Sequence, residues 1–310
     1  MKKLFTFILI SIFLLEIVCR FTQLPWLFEP AFSQIGSLRT VQNEIDKNNK
    51  IEYLFFGNSL TRDAISPKIL NDYFKEDLTI NAGVSAGSLY LDYKLLSDLN
   101  TPPKLIFIQS DIARFSAGVD DNFYFKKLSS FEDWNSLNRK NMNSLINQSK
   151  LYASRDLWHR YVFFRDGSEQ VGNLLEKDSL GQFDVYGDQR FINEGFFDDE
   201  IYNDAWLENI NLDSLYYFQK ICDYSKLNNI DVVIIHLPLN IGEKLKKSKL
   251  INDYLNYLKS ACGPQTRILN YLDIFEKNED FFMDYGHLNN TGAEVFSKIL
   301  TEEIGLLLMK

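Results

Sequence analysis

Four short segments carry hydroxyl, carboxylate and imidazole groups, three of them beside glycines. They are Gly57-Asn58-Ser59-Leu60-Thr61, Asn81-Ala82-Gly83-Val84-Ser85-Ala86-Gly87, Gln109-Ser110-Asp111 and Asp284-Tyr285-Gly286-His287. A serine hydroxyl is a weak nucleophile until a neighbouring base takes its proton, and an imidazole is the base suited to neutral pH. Asp284 precedes His287 by three residues, so its carboxylate can fix the imidazole tautomer while the other ring nitrogen turns toward Ser59. His287 would then accept the Ser59 proton and later return it to a leaving group. The N–H of Ser59 and those of the 83–87 turn are candidate donors to a developing oxyanion, each worth about 3 kcal/mol. This is the inventory of a serine hydrolase. His236 follows another strand-like run and reads as a satisfied strand-end histidine more readily than as a substrate contact. Arg62 and Asp63 read as an ion pair on the first helix after Ser59. Three histidines and no Cys-x-x-Cys spacing leave little for a metal site, and no cofactor is expected.

Residues this far apart in sequence meet only if strands deliver them to one edge of a sheet. Apolar runs at 51–56, 78–80, 105–108, 231–235 and 267–269 read as five buried strands. Helical stretches separate them: one with Pro67 in its first turn, then 88–99, 212–227 and 243–261. A closing helix spans 291–309, with Thr291 and Glu294 in capping-box spacing. Alternating strands and helices predict an α/β fold with one parallel sheet, covered on both faces, in the order 2-1-3-4-5. Ligands in such sheets sit beyond the carboxyl ends of the strands, where all four segments fall. Residues 112–211, about a hundred, lack clean strand signals and are rich in aromatics, Asn and Asp. That is too long for an ordinary loop. It reads as a mostly helical insertion over the site, in preference to a surface excursion remote from it.

These segments resemble the signature blocks of the SGNH (GDSL) hydrolases. Gly57-Asn58-Ser59-Leu60 resembles the Gly-Asp-Ser-Leu block, Asn81 to Gly87 the second block, and Asp284-x-x-His287 the last. The resemblance covers roughly 51–111 and 212–310. It implies a flavodoxin-like three-layer fold, and hydrolysis or transfer of carboxyl esters by Ser59, Asp284 and His287. With an amino-terminal anchor, it implies an exported member working on cell-envelope polymers. Two positions depart from the blocks. Asn58 stands where Asp is usual, and Ile108-Gln109-Ser110-Asp111 stands where Gly-x-Asn-Asp is usual. Ser110 thus occupies the place of an oxyanion-donating Asn. The second block is one residue longer before Gly87, so Gly83, Ala86 and Gly87 all compete for the oxyanion role that the resemblance implies for it.

The chain begins Met1-Lys2-Lys3, then an apolar run of roughly 16 residues to Cys19, then Arg20. That is short of the roughly 20 needed to span a bilayer, but the Leu24–Phe28 patch extends it into the interface. No small-x-small cleavage site follows, so residues 1–20 read as an uncleaved signal anchor in preference to a removed signal or a buried helix. Residues 21–50 then form a juxtamembrane stem, and 51–310 the catalytic domain outside the cytoplasm. Among 310 residues, 42 acidic side chains against 33 basic give a net charge of −9, which argues against nucleic acid as a partner. Three cysteines cannot form a disulfide scaffold; Cys222 and Cys262 are read equally as a pair or as two thiols. The expected substrate is an acyl ester, acetyl foremost, of a glycan or glycolipid, with a membrane-bound acyltransferase as a candidate partner. The competing reading is a non-catalytic relative that binds glycan or docks such a transferase. A small-ligand binder of the flavodoxin type lacks its phosphate-cradling glycine-rich loop.

Overall fold

The computed structural model describes residues 2–21, 34–47, 50–75, 79–84, 86–116, 210–240 and 249–309. The expected insertion at 112–211 lies outside them except at its two ends. Five strands form one sheet: β1 (Tyr53–Gly57), β2 (Thr79–Gly83), β3 (Leu105–Gln109), β4 (Asp231–His236) and β5 (Arg267–Asn270). All pairings are parallel, and the order is β2-β1-β3-β4-β5. Every residue of β1 and β3 is buried, as central strands covered on both faces must be. Phe55 and Phe107 stack across the two strands with ring centroids 4.1 Å apart.

The helices are α1 (Lys2–Phe21), α2 (Gln34–Lys47), α3 (Ser59–Ala64), α4 (Pro67–Phe74), α5 (Leu89–Ser97) and α6 (Ile112–Ser116). Beyond residue 210 come α7 (Leu212–Leu227), α8 (Lys249–Cys262) and α9 (Asn290–Leu308). Helix α9 packs on α3 and α4, whereas α5, α6 and α8 pack on α7. Cys222 of α7 and Cys262 of α8 form a disulfide, which settles the alternative the sequence left open. The chain separates into two compact units, Met1–Ser37 with Asp120–Leu180, and Leu38–Val119 with Gly181–Lys310. The sheet belongs to the second. In the first, α1 carries exposed Phe5, Phe7, Ile10 and Phe13. Among the described residues no helix is long and apolar enough to cross a membrane.

Local signals explain most boundaries. Ser66 caps α4 and Pro67 occupies its first turn, where a missing N–H costs nothing. Ser88 caps α5 and Asn211 caps α7. Two of the boundaries that differ from expectation bear on the site. Strand β2 runs on through Asn81, Ala82 and Gly83, because their backbone pairs with Phe55, Phe56 and Gly57 of β1. Helix α9 begins at Asn290 rather than Thr291. Its cap is Asn289, whose side chain accepts from Gly292 N at 3.0 Å and donates to Asp280 O. Glu294 pairs instead with Lys298 one turn on, at 2.6 Å. The loop that follows β5 thus reaches α9 through a fixed geometry, which matters for what it carries.

Candidate active site

Strand β1 ends at Gly57, and Ser59 is the first residue of α3. Asn58 between them is the cap: its Oδ1 accepts from Leu60 N at 2.9 Å. Among the described residues the Ser59 N–H makes no hydrogen bond, so it points a free donor from the positive end of the helix. Asn81, from β2, holds the other end of α3. Its Nδ2 donates to the carbonyls of Thr61, Arg62 and Ile65 at 2.9, 3.2 and 2.8 Å.

The loop between β5 and α9 delivers the acid and the base. An antiparallel bridge between Phe282 and Leu288 closes it, reinforced by Met283 N donating to His287 O at 2.7 Å. Asp284 Oδ1 accepts from the N–H groups of Gly286 and His287 at 2.9 and 2.8 Å, an Asx turn that fixes the carboxylate. Gly286 lies against Leu60 and Leu239, and a Cβ there would stand 3.0 Å from each. Glycine therefore lets the loop settle onto the first turn of α3.

The structure brings Ser59, His287 and Asp284 together across 228 residues of sequence. Asp284 Oδ2 lies 2.7 Å from His287 Nδ1, and His287 Nε2 lies 2.8 Å from Ser59 Oγ. With Nδ1–H donating to the carboxylate, Nε2 bears the lone pair and accepts the serine proton. Partial burial pushes the Asp284 carboxyl up, but His287 and the two backbone N–H groups outweigh it, so it titrates below its ordinary value. The Asp284 carboxylate is ionised at neutral pH and can stabilise an imidazolium.

The other predicted site residues stand as follows. Gly83 N–H donates to Asn81 Oδ1 at 2.9 Å and Gly87 N–H to Val84 O at 2.9 Å, so both are already engaged. Ala86 is exposed and has a left-handed backbone, φ 55°. Gly87 backs directly onto β1: a Cβ there would lie 2.2 Å from Gly57 O. Asn58 serves the turn itself, because its Nδ2 donates to Asp111 Oδ2 at 2.7 Å. Ser110 is fully buried, its hydroxyl 2.7 Å from Nδ1 of His236 and 3.2 Å from Ile235 O. It is thus turned toward β4 and away from the oxyanion role expected of it. His236 is buried too, and burial lowers it to about 4, which keeps it neutral. Arg62 and Asp63 form the expected ion pair.

Ser110→Asn, which restores the usual third-block residue, is accordingly expected not to raise turnover. The larger amide overpacks a closed site against His236, costing about 1–3 kcal/mol. Denaturant unfolding read beside ester turnover checks this; a faster enzyme of unchanged stability contradicts it.

Sequence reasoning missed the residues that hold the nucleophile turn from beneath. Gln109 Oε1 accepts from Asn58 N at 2.8 Å and from Thr61 Oγ1 at 2.9 Å. Asp111 is buried, accepting from Ala113 N as well as Asn58. Burial raises its carboxyl, opposed by those two bonds and by the charges of Arg114 and His287. Side-chain alternation along β3, counted from Phe107, was the available signal for Gln109: it points to the face of Phe107, and Ser110 to the other.

A protein-family model matches residues 196–309, less than half of the chain. No curated protein matches it. Among solved structures it is similar to a protein from Streptococcus pneumonia described as a platelet activating factor. That match has 12% identity and TM-score 0.42, and covers 87% of this chain and 94% of the other. It is also similar to AlinE4, described as a SGNH-hydrolase family esterase, at 11% identity and TM-score 0.34, covering 84% and 98%. At such identities and TM-scores the geometry of the site, and not the likeness, must carry the chemistry.

Proposed function

We propose that this chain is a serine-dependent O-acyl esterase or acyltransferase of the SGNH type, held at a membrane by α1 with its site outside the cytoplasm. Its substrate is an acyl ester, acetyl foremost, on an envelope or extracellular glycan. The observation that carries the chemistry is the hydrogen-bonded chain Ser59–His287–Asp284 at the carboxyl edge of the sheet. The Ser59 hydroxyl gives its proton to His287 Nε2 as its oxygen attacks the ester carbonyl carbon. Negative charge on the carbonyl oxygen meets the free Ser59 N–H. The intermediate collapses, His287 returns the proton to the departing alcohol, and an acyl-Ser59 remains. Water attacking in the same manner completes hydrolysis; a second hydroxyl completes transfer.

The location rests on separate support. Lys2 and Lys3 open α1, on which Phe5, Phe7, Ile8, Ile10 and Phe13 are exposed. The Cys222–Cys262 disulfide suits an oxidising compartment. A second reading, a non-catalytic relative that binds glycan or docks a membrane acyltransferase, draws on the engaged N–H groups of Gly83 and Gly87 and on the missing third-block Asn.

One experiment separates these. Intact cells are treated with a membrane-impermeant fluorophosphonate. We expect the wild-type chain to be labelled and Ser59→Ala not to be. Labelling only after lysis would overturn the outward location. No labelling before or after lysis would hand the site to the non-catalytic reading.

A further inference from the structure

We propose that Arg114 is a positioning residue for this site, its guanidinium holding the second-block turn and the end of β3 around the nucleophile turn. The inference rests on the serine-hydrolase reading above. Arg114 lies on α6, and its side chain is only 1% exposed. Its Nε donates to Gly87 O at 3.3 Å and its Nη1 to Gln109 O at 3.0 Å. Its Nη2 pairs with Asp92 of α5, a side chain equally buried.

Both carbonyls belong to segments that touch the residues flanking Ser59. Gly87 backs onto Gly57, and Val84 N of the same turn donates to Gly57 O at 3.3 Å. Gln109 holds Asn58 N through its side chain. One planar fork thus ties the turn that follows β2 to the end of β3, which the sheet itself leaves unjoined, since β2 and β3 lie on opposite sides of β1. A rigid, multi-donor guanidinium can do this, and a single ammonium cannot span all three partners.

Stability alone is a poor account of the pair. Buried ion pairs roughly break even against apolar packing. This one is not optimised, for among the described residues Asp92 Oδ1 has no partner. Burial raises the Asp92 carboxyl to about 6 against the pull of Arg114. An expensive pair beneath two site segments makes sense if what it holds is geometry. A displacement of the order of 1 Å at reacting atoms can cost about 10²-fold in rate.

The test uses the full chain and a chromogenic acetate ester, with Ser59→Ala as blank and active sites titrated by fluorophosphonate burst. Two variants are compared with wild type: Arg114→Lys, and the double Asp92→Leu/Arg114→Met, which replaces the pair by apolar groups. We expect both to unfold cooperatively, to keep KM within about twofold, and to lose about tenfold or more in kcat per titrated site. A purely structural role would lower only the number of titrated sites. Per-site kcat within about twofold of wild type in Arg114→Lys overturns the proposal. So does the same result in a folded double variant; should the double variant fail to fold, Arg114→Lys decides. A wild type with no turnover above the Ser59→Ala blank counts against the hydrolase reading itself, a separate outcome.

Discussion

Ser59→Ala and His287→Ala are each expected to lower kcat on an acetate ester by about 10⁴-fold or more, and the double variant to be no worse than either single one. The two groups act as one unit: the hydroxyl attacks only as Nε2, 2.8 Å away, removes its proton. Once either is gone, the other contributes nothing to the attack, so the losses do not add. KM should change little, because the proton transfer is made in the transition state and not in the bound ground state. Asp284→Ala should be about one to two orders of magnitude milder. Its carboxylate orients the imidazole and answers its charge, but part of the loop geometry survives through the Met283–His287 and Phe282–Leu288 contacts. Steady-state kinetics on the four variants, corrected for folded protein, decide the matter. Full turnover in Ser59→Ala, or single-variant losses that multiply in the double, would dismantle the assignment.

The second large effect is expected at the residue before the nucleophile. Asn58→Asp restores the usual first-block residue, and it should damage the site. Asn58 Nδ2 donates to Asp111 Oδ2 at 2.7 Å, so an aspartate would set two carboxylates face to face. Asp111 is already pushed up by burial, and the pair would keep its contact only by sharing one proton. As pH rises and that proton leaves, repulsion should open the turn that presents Ser59. A hydrogen bond to a charged group contributes roughly 1.5–3 kcal/mol, or about 10–10²-fold in rate when lost at this place. The sign follows directly. The ratio of variant to wild-type kcat should be smallest at alkaline pH and should recover as pH falls. A variant as fast as wild type at every pH would mean that the Asn58–Asp111 contact has no bearing on the nucleophile.

Asn58 and Asp111 also mark the boundary between local and non-local information. The five strands were legible because each is a short apolar run ended by a polar or glycine-bearing turn, and the parallel order followed from their alternation with helices. Ser59, Asp284 and His287 were legible for a related reason: each follows a strand, and a parallel sheet sends everything that follows its strands to one edge. The spacing of Asp284 and His287 is local, as is the Asx turn that exploits it.

Side-chain facing was a different matter. Ser110 was placed by its position in a block, yet pleating turns it toward His236 and gives Gln109 the contact with Asn58. Thr291 met the local rule for a cap, but Asn289 could also bond the carbonyl of Asp280, nine residues earlier, and that second contact favoured it. Gly83 and Gly87 offered N–H groups on paper, and folding engaged both with neighbours in their own turn. Arg114 and Asp92 lie 22 residues apart on different helices, with no pattern linking them before the sheet brings α5 and α6 together. Periodicity and turn chemistry act over a few residues, so the chain alone set its elements, their order and the edge where its reactive groups gather. Hydrogen bonds are satisfied by whatever lies within about 3 Å. Which polar group faces the substrate and which braces the frame was therefore decided only once the strands were paired and the helices packed.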